Sequence, residues 1–173
     1  VSTTTAAYIA VKTAFGDPES PHKVLILANK QTLAQEFLKK IKEFLDQIPY
    51  WVWGLDEGTD YLEINSKGHI KLKSNGCEIR ALATSKDALR GFTPTFLVMD
   101  EAAFIDNGAD VFGAALASLG TGGKIALIST PNGMDPLYYK TYDGAKNKEN
   151  NFNLVEMKWY QDVRYNRGLF WVR

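Results

Sequence analysis

Asp100 and Glu101 follow directly on the apolar run Phe96-Leu97-Val98-Met99, and adjacent carboxylates in such a place can divide a reaction between them. One can hold a magnesium ion, directly or through water, while the other aligns or deprotonates the water that attacks a γ-phosphate. The run is too short for a helix and lacks polar alternation, so it predicts a strand buried on both faces of a parallel sheet. Ligands of open α/β sheets bind at the carboxyl ends of the strands, and neighbours on a strand point to opposite sides, so the two acids could take different roles. This is the layout of a Walker B element. The same pattern also arises where a buried strand merely reaches solvent. A metal-dependent nuclease would draw on the same pair together with Asp106.

Three other groups of polar residues sit where they could serve such chemistry. Ser2, Thr3, Thr4 and Thr5 precede the helix-favouring stretch Ala6-Ala7-Tyr8-Ile9-Ala10-Val11. Hydroxyls there can cap the helix, or Ser2 can ligate magnesium at the end of a phosphate loop with the helix N-terminus facing the phosphates. Arg90 precedes Gly91 shortly before the acids. It could steady charge on a transferring phosphoryl group or pair with a nearby carboxylate. Ser129-Thr130-Pro131-Asn132-Gly133 ends a second apolar run, where Ser129, Thr130 and Asn132 could hydrogen-bond a γ-phosphate or the attacking water, or form a turn only.

The elements that must position these groups read as an alternating α/β chain. A first helix closes near Gly16, and the apolar stretch 23–28 predicts a central strand. The span 31–48 carries Leu33, Phe37, Ile41, Phe44, Leu45 and Ile48 at helical spacing. Lys39, Lys40 and Lys42 lie mostly off that stripe, as a solvated face or a DNA contact. Tyr50-Trp51-Val52-Trp53 should pack on this helix, with base stacking as the alternative. From 61 to 83 short strands broken at Ser66-Lys67-Gly68 and Asn75-Gly76 predict a small antiparallel extension, with Ile64, Ile70, Leu72, Ile79 and Leu82 inward. A helix over 109–119, a buried strand over 124–128, a helix over 135–145 and a last strand over 152–159 complete the pattern.

The 173 residues suffice for one domain, which would bury roughly 70% of its unfolded surface. Lys plus Arg and Asp plus Glu number 20 each, so a nucleic-acid contact would need a local patch rather than a global field. One cysteine, Cys77, excludes an internal disulfide framework. His22 and His69 lie far apart and make a His/Cys zinc site improbable. No stretch reads as a transmembrane span or signal peptide.

In order and spacing, Ser2-Thr3-Thr4-Thr5-Ala6, Leu27-Ala28-Asn29-Lys30, Ala88-Leu89-Arg90-Gly91, Met99-Asp100-Glu101-Ala102-Ala103-Phe104 and Ser129-Thr130-Pro131-Asn132-Gly133 form a specific set. With these motifs the chain resembles the N-terminal ATPase domain of the large terminase subunit of tailed bacteriophages, the motor that pumps DNA into the procapsid. The resemblance implies a RecA-like, additional-strand P-loop sheet, mostly parallel, with helices on both faces. It implies ATP and Mg²⁺ as cofactors, Asp100 and Ser2 as magnesium ligands, and Glu101 as the catalytic glutamate. Arg90 matches a finger toward a neighbouring subunit's nucleotide. Ser2 and Thr3 fall in the nucleotide-binding segment, and Ser129, Thr130 and Asn132 in the coupling motif. The implied partners are double-stranded DNA, the portal protein and the small terminase subunit, within a homo-oligomeric ring. The implied location is the host cytoplasm, docked transiently on the procapsid.

Departures from the family pattern shape further expectations. Val1 stands where the phosphate-loop lysine would be, so residues 1–173 are expected to be a single partial ATPase domain. The phosphate-loop strand would lie upstream, the nuclease domain downstream, and the chain alone would hydrolyse ATP poorly if at all. The absent strand is expected to leave a gap between buried neighbours inside the sheet. A nucleotide-free interaction module is the remaining alternative.

Overall fold

The computed structural model describes residues 1–85 and 91–162. Its elements alternate as the hydrophobic periodicity predicts. They are α1 (Ser2–Ala14), β1 (Lys23–Ala28), α2 (Gln31–Leu45), β2 (Leu62–Asn65), β3 (His69–Leu72), β4 (Glu78–Ala83), β5 (Phe96–Asp100), α3 (Gly108–Ser118), β6 (Lys124–Ile128) and α4 (Tyr138–Lys146). The strands form one sheet in the order β2-β3-β4-β1-β5-β6. The pairs β4/β1, β1/β5 and β5/β6 are parallel, whereas β2/β3 and β3/β4 are antiparallel. The expected antiparallel extension therefore continues the main sheet, and Leu62 joins its buried side.

Alternation along β1 shows why Val24 to Ala28 are all apolar, with Lys23 exposed at the strand's start. Val24, Ile26 and Ala28 face a core shared with Ile9 of α1 and Phe37 and Ile41 of α2. Leu25 and Leu27 face a second core with Val111 and Ala115 of α3 and Leu137 beside α4. Each face is covered by helices, so no position on the strand can be polar without a buried partner. Within α2 the buried stripe is Ala34, Phe37, Leu38, Ile41 and Leu45, and Leu33 lies partly exposed. The aromatic cluster divides: Trp53 is buried and stacks on Tyr61 at 4.9 Å between ring centroids, while Trp51 is 71% exposed.

Polar side chains complete the ladder where strands run out. Beyond Arg80, β4 has no residue of β3 opposite it, and Gln31 supplies the missing groups, its Nε2 donating to Ala81 O at 2.8 Å and its Oε1 accepting from Ala83 N at 2.7 Å. The Asn75-Gly76 turn joins β3 to β4, with Gly76 at φ 68° as the reversal requires. Asn75 is buried, and its Nδ2 donates to Thr13 O at 2.8 Å and Gly16 O at 3.2 Å, closing the carboxyl end of α1. Its Oδ1 accepts from Cys77 N at 3.0 Å. Asn75→Ala would leave these buried groups unsatisfied, so urea unfolding should show a loss of about 2 kcal/mol.

The structure corrects the sequence reading on three counts. No gap interrupts the sheet, because β1, β5 and β6 pair consecutively and β6 forms one edge among the described residues. Lys124 is exposed, Ile125, Ala126 and Leu127 are half-buried and Ile128 alone is buried, where the sequence predicts a strand buried throughout. Residues 152–158 form no ladder, and Val155 and Met157 are largely exposed. Apolar, β-prone composition sets a local preference for extension, but a strand needs a neighbour to pair with.

Candidate active site at the carboxyl edge of the sheet

Parallel pairing brings Asp100 level with Ile128, so β5 and β6 deliver their polar tips to the same edge. Asp100 is the last residue of β5 and is half-buried. Ser2 reaches it from the first turn of α1, its Oγ donating to Asp100 Oδ1 at 3.2 Å. The Ser2 hydroxyl thus serves a carboxylate distant in sequence, and α1 starts without a side-chain cap. Thr5 Oγ1 donates to Val1 O instead, and Thr3 is exposed on the same turn.

Burial pushes the Asp100 carboxyl above its ordinary pKa. The Ser2 hydroxyl, the backbone N–H of Glu101 and the charge of Lys40 pull it down without cancelling the desolvation. A carboxylate and a hydroxyl side by side are hard oxygen donors of the kind Mg²⁺ takes, and the helix N-terminus beside them favours an anionic group such as a phosphate. In sequence Lys40 reads as part of a solvated face or a DNA contact. No local signal marks its reach to Asp100, which depends on how α2 packs against α1.

Glu101 leaves the strand in a left-handed backbone conformation, φ 51° and ψ 43°. The two acids are therefore separated by this turn rather than by strand alternation. A non-glycine residue held there costs about 1–3 kcal/mol, and such positions cluster at functional sites. Phe104 N donates to Glu101 O at 2.8 Å, closing a 3₁₀ turn over Ala102–Phe104. Ser129 and Asn132 are drawn to that turn: Ala103 N donates to Ser129 Oγ at 3.1 Å, and Asn132 Nδ2 donates to Ala103 O at 3.1 Å. Thr130 is exposed at the β6 tip, with its carbonyl accepting from Ser129 Oγ at 2.9 Å. Arg90 lies outside the described residues.

A groove of about 780 Å³ runs along β6, lined by Val1, Ile128, Ser129, Thr130, Tyr138 and Met157 among others, and its size is that of a ligand site. A separate cavity of about 540 Å³ between α2 and the β2–β3 hairpin contains Lys39, Lys42 and Lys67, and neither Asp100 nor Glu101 lines this cavity or the groove along β6. Asp106 is exposed. Among the described residues no three of His, Cys, Asp and Glu converge as a metal-binding group, so the three-carboxylate set of the nuclease reading is not assembled. No helix among them is long and apolar enough to cross a membrane.

Comparisons with known proteins bear on the fold and the family. The Mu-like prophage FluMu protein gp28 of Haemophilus influenzae (strain ATCC 51907 / DSM 11121 / KW20 / Rd) is 43% identical over 65 residues, which is 38% of this chain and 13% of that protein. The HK97 bacteriophage large terminase matches with a TM-score of 0.64 at 17% identity, over 85% of this chain and 30% of that one. The large terminase of a thermophilic bacteriophage, in complex with ADP, gives 0.59 at 13% identity, over 84% and 34%. The Thermus phage P74-26 large terminase ATPase domain gives 0.56 at 22% identity, over 81% and 58%. At these identities the structural likeness shows the fold alone, the RecA-like α/β sheet that these terminases share. The chain spans about a third of the HK97 terminase and of the ADP-bound terminase, and less of the prophage protein. The family described as terminase large subunit, T4likevirus-type, N-terminal, matches residues 2–170, and the chain belongs to that family.

Proposed function

We propose that this chain carries the Walker B side of a Mg-ATP site in a DNA-packaging motor subunit. The observation that carries the reading is the Ser2–Asp100 hydrogen bond at 3.2 Å. It joins a helix N-terminus, which favours phosphate, to the tip of a central strand, where two hard oxygen donors meet. Asp100 and Ser2 would hold Mg²⁺, and the adjacent Thr3 turn would face the nucleotide. The ion, when bound, supplies neutralisation of charge on the β- and γ-phosphates. Glu101 orients the attacking water and takes its proton, and Arg90 steadies the phosphoryl group within its own or a neighbouring subunit. Ser129, Thr130 and Asn132 form the coupling segment that links the site to the rest of the motor. The ADP held by the thermophilic phage terminase supports nucleotide as the ligand class.

In this reading the parent protein converts ATP and water to ADP and phosphate and applies the resulting movement to double-stranded DNA. It would act as a ring on the portal protein, supplied with DNA by the small terminase subunit, in the host cytoplasm. The test is titration of Mg-ATP into the chain extended upstream through a phosphate loop, with and without Ser2→Ala. Loss of the hydroxyl should weaken Mg-dependent nucleotide binding about 10- to 100-fold and leave Mg-free binding unchanged. Equal affinity with and without the hydroxyl would remove Ser2 from the metal site.

A further inference from the structure

The conformation of Glu101 poses a question that the metal site does not answer, namely what holds a glutamate left-handed. The constraint lies in the following turn. Ala103 is buried, and both of its backbone polar groups are taken by side chains of the β6 tip, Ser129 Oγ accepting and Asn132 Nδ2 donating, each at 3.1 Å. Buried backbone groups must find partners somewhere. No ladder reaches this turn, so the β6 tip is the element that satisfies them. Ser129 is held in turn from α4, because Tyr138 Oη donates to Ser129 O at 3.2 Å. Asp135 anchors the start of α4, accepting from the N–H groups of Leu137 and Tyr139 at 3.0 Å each, and Leu137 is buried against Gly108 at the start of α3.

We propose that Asn132 and Tyr138 are positioning residues for Glu101, Asn132 through the Ala103 carbonyl and Tyr138 through Ser129. Their hydrogen bonds make a continuous path from α4 to the turn that sets the direction of the Glu101 side chain. A shift of α4 would then be felt at the acid, and a change at the acid would be felt at α4. The inference rests on the reading of Glu101 as the group that orients the attacking water. The path itself is a property of the fold and can be tested without nucleotide.

Two measurements decide it. In the 173-residue chain, Asn132→Ala and Tyr138→Phe should each speed amide hydrogen exchange at Ala103 and Phe104 by about tenfold, with β1 exchange unchanged. In the nucleotide-competent extended protein, the same variants should lower kcat about tenfold with KM for Mg-ATP within about twofold, since orientation of Glu101 is used in hydrolysis and not in binding. Asn132→Asp, which keeps the shape but sets an acceptor against the Ala103 carbonyl, should do no better than Asn132→Ala. Unchanged exchange in both variants would overturn the proposal. A rise in KM at constant kcat would also overturn it, by making Asn132 a phosphate contact. If the unsubstituted extended protein hydrolyses no ATP, the functional reading fails, while the exchange measurement still upholds or overturns the path.

Discussion

Glu101→Gln in the extended, nucleotide-competent protein should bind Mg-ATP as tightly as the unsubstituted protein and lose turnover by about 10²- to 10⁴-fold. That range is what a positioned general base contributes. Glutamine keeps the volume and the hydrogen-bonding reach of the side chain but cannot accept a proton from water. Its backbone should stay left-handed, because the constraint comes from the Ala102–Phe104 turn and its clamp on Ala103 rather than from the carboxylate. Nucleotide binding would be unaffected, since Asp100 and Ser2 are the groups assigned to the ion. Phosphate release measured beside equilibrium binding separates the two effects. Equal loss of both would move Glu101 from the chemical step to the metal site.

Asp100→Asn should act in opposite directions on stability and on binding. Burial raises the folded-state pKa of Asp100 above its unfolded value, so ionised Asp100 is disfavoured in the nucleotide-free fold. Its contribution to stability is fully present below the unfolded pKa and is lost as the pH rises through the folded one. At neutral pH the amide removes that cost, and Tm of the nucleotide-free protein should rise by about 2 °C. The difference from the unsubstituted protein should shrink as the pH falls into the carboxylate range. Mg-dependent nucleotide affinity should drop by about 100-fold in the same variant. A protein that gains stability while losing its ligand marks a residue kept for function. A fall in Tm would instead make Asp100 a structural partner of Ser2.

Much of this arrangement can be read from the residues because its parts are local. β1 and β5 announce themselves as uninterrupted apolar runs, since helices cover both faces of the sheet. Asp100 and Glu101 stand at the end of one such run. The Ser2–Asp100 bond spans most of the chain and is legible only through the order of motifs, not through periodicity. What escapes is what depends on neighbours. Apolar content makes β6 look like an interior strand, whereas among the described residues it pairs on one side only, with β5. Residues 152–158 have strand-like composition and no ladder partner. Asn75 is readable as a turn residue and not as the closure of α1, because Thr13 and Gly16 are brought to it by packing. Tyr138 falls within the helix that the sequence predicts over 135–145, and its bond to Ser129 depends on where α4 docks.

The central claim is that Asp100 and Ser2 form the metal side of a nucleotide site. The most direct measurement is binding of a fluorescent ATP analogue, with Mg²⁺ and with Mg²⁺ chelated, to the chain extended upstream through a phosphate loop and to its Asp100→Asn form. Saturable binding that Mg²⁺ strengthens, and that with Mg²⁺ present is about 100-fold weaker in the Asp100→Asn form, is the predicted result. Absence of nucleotide binding by the extended protein at any Mg²⁺ concentration would contradict it and return the Asp-Glu pair to the end of a buried strand.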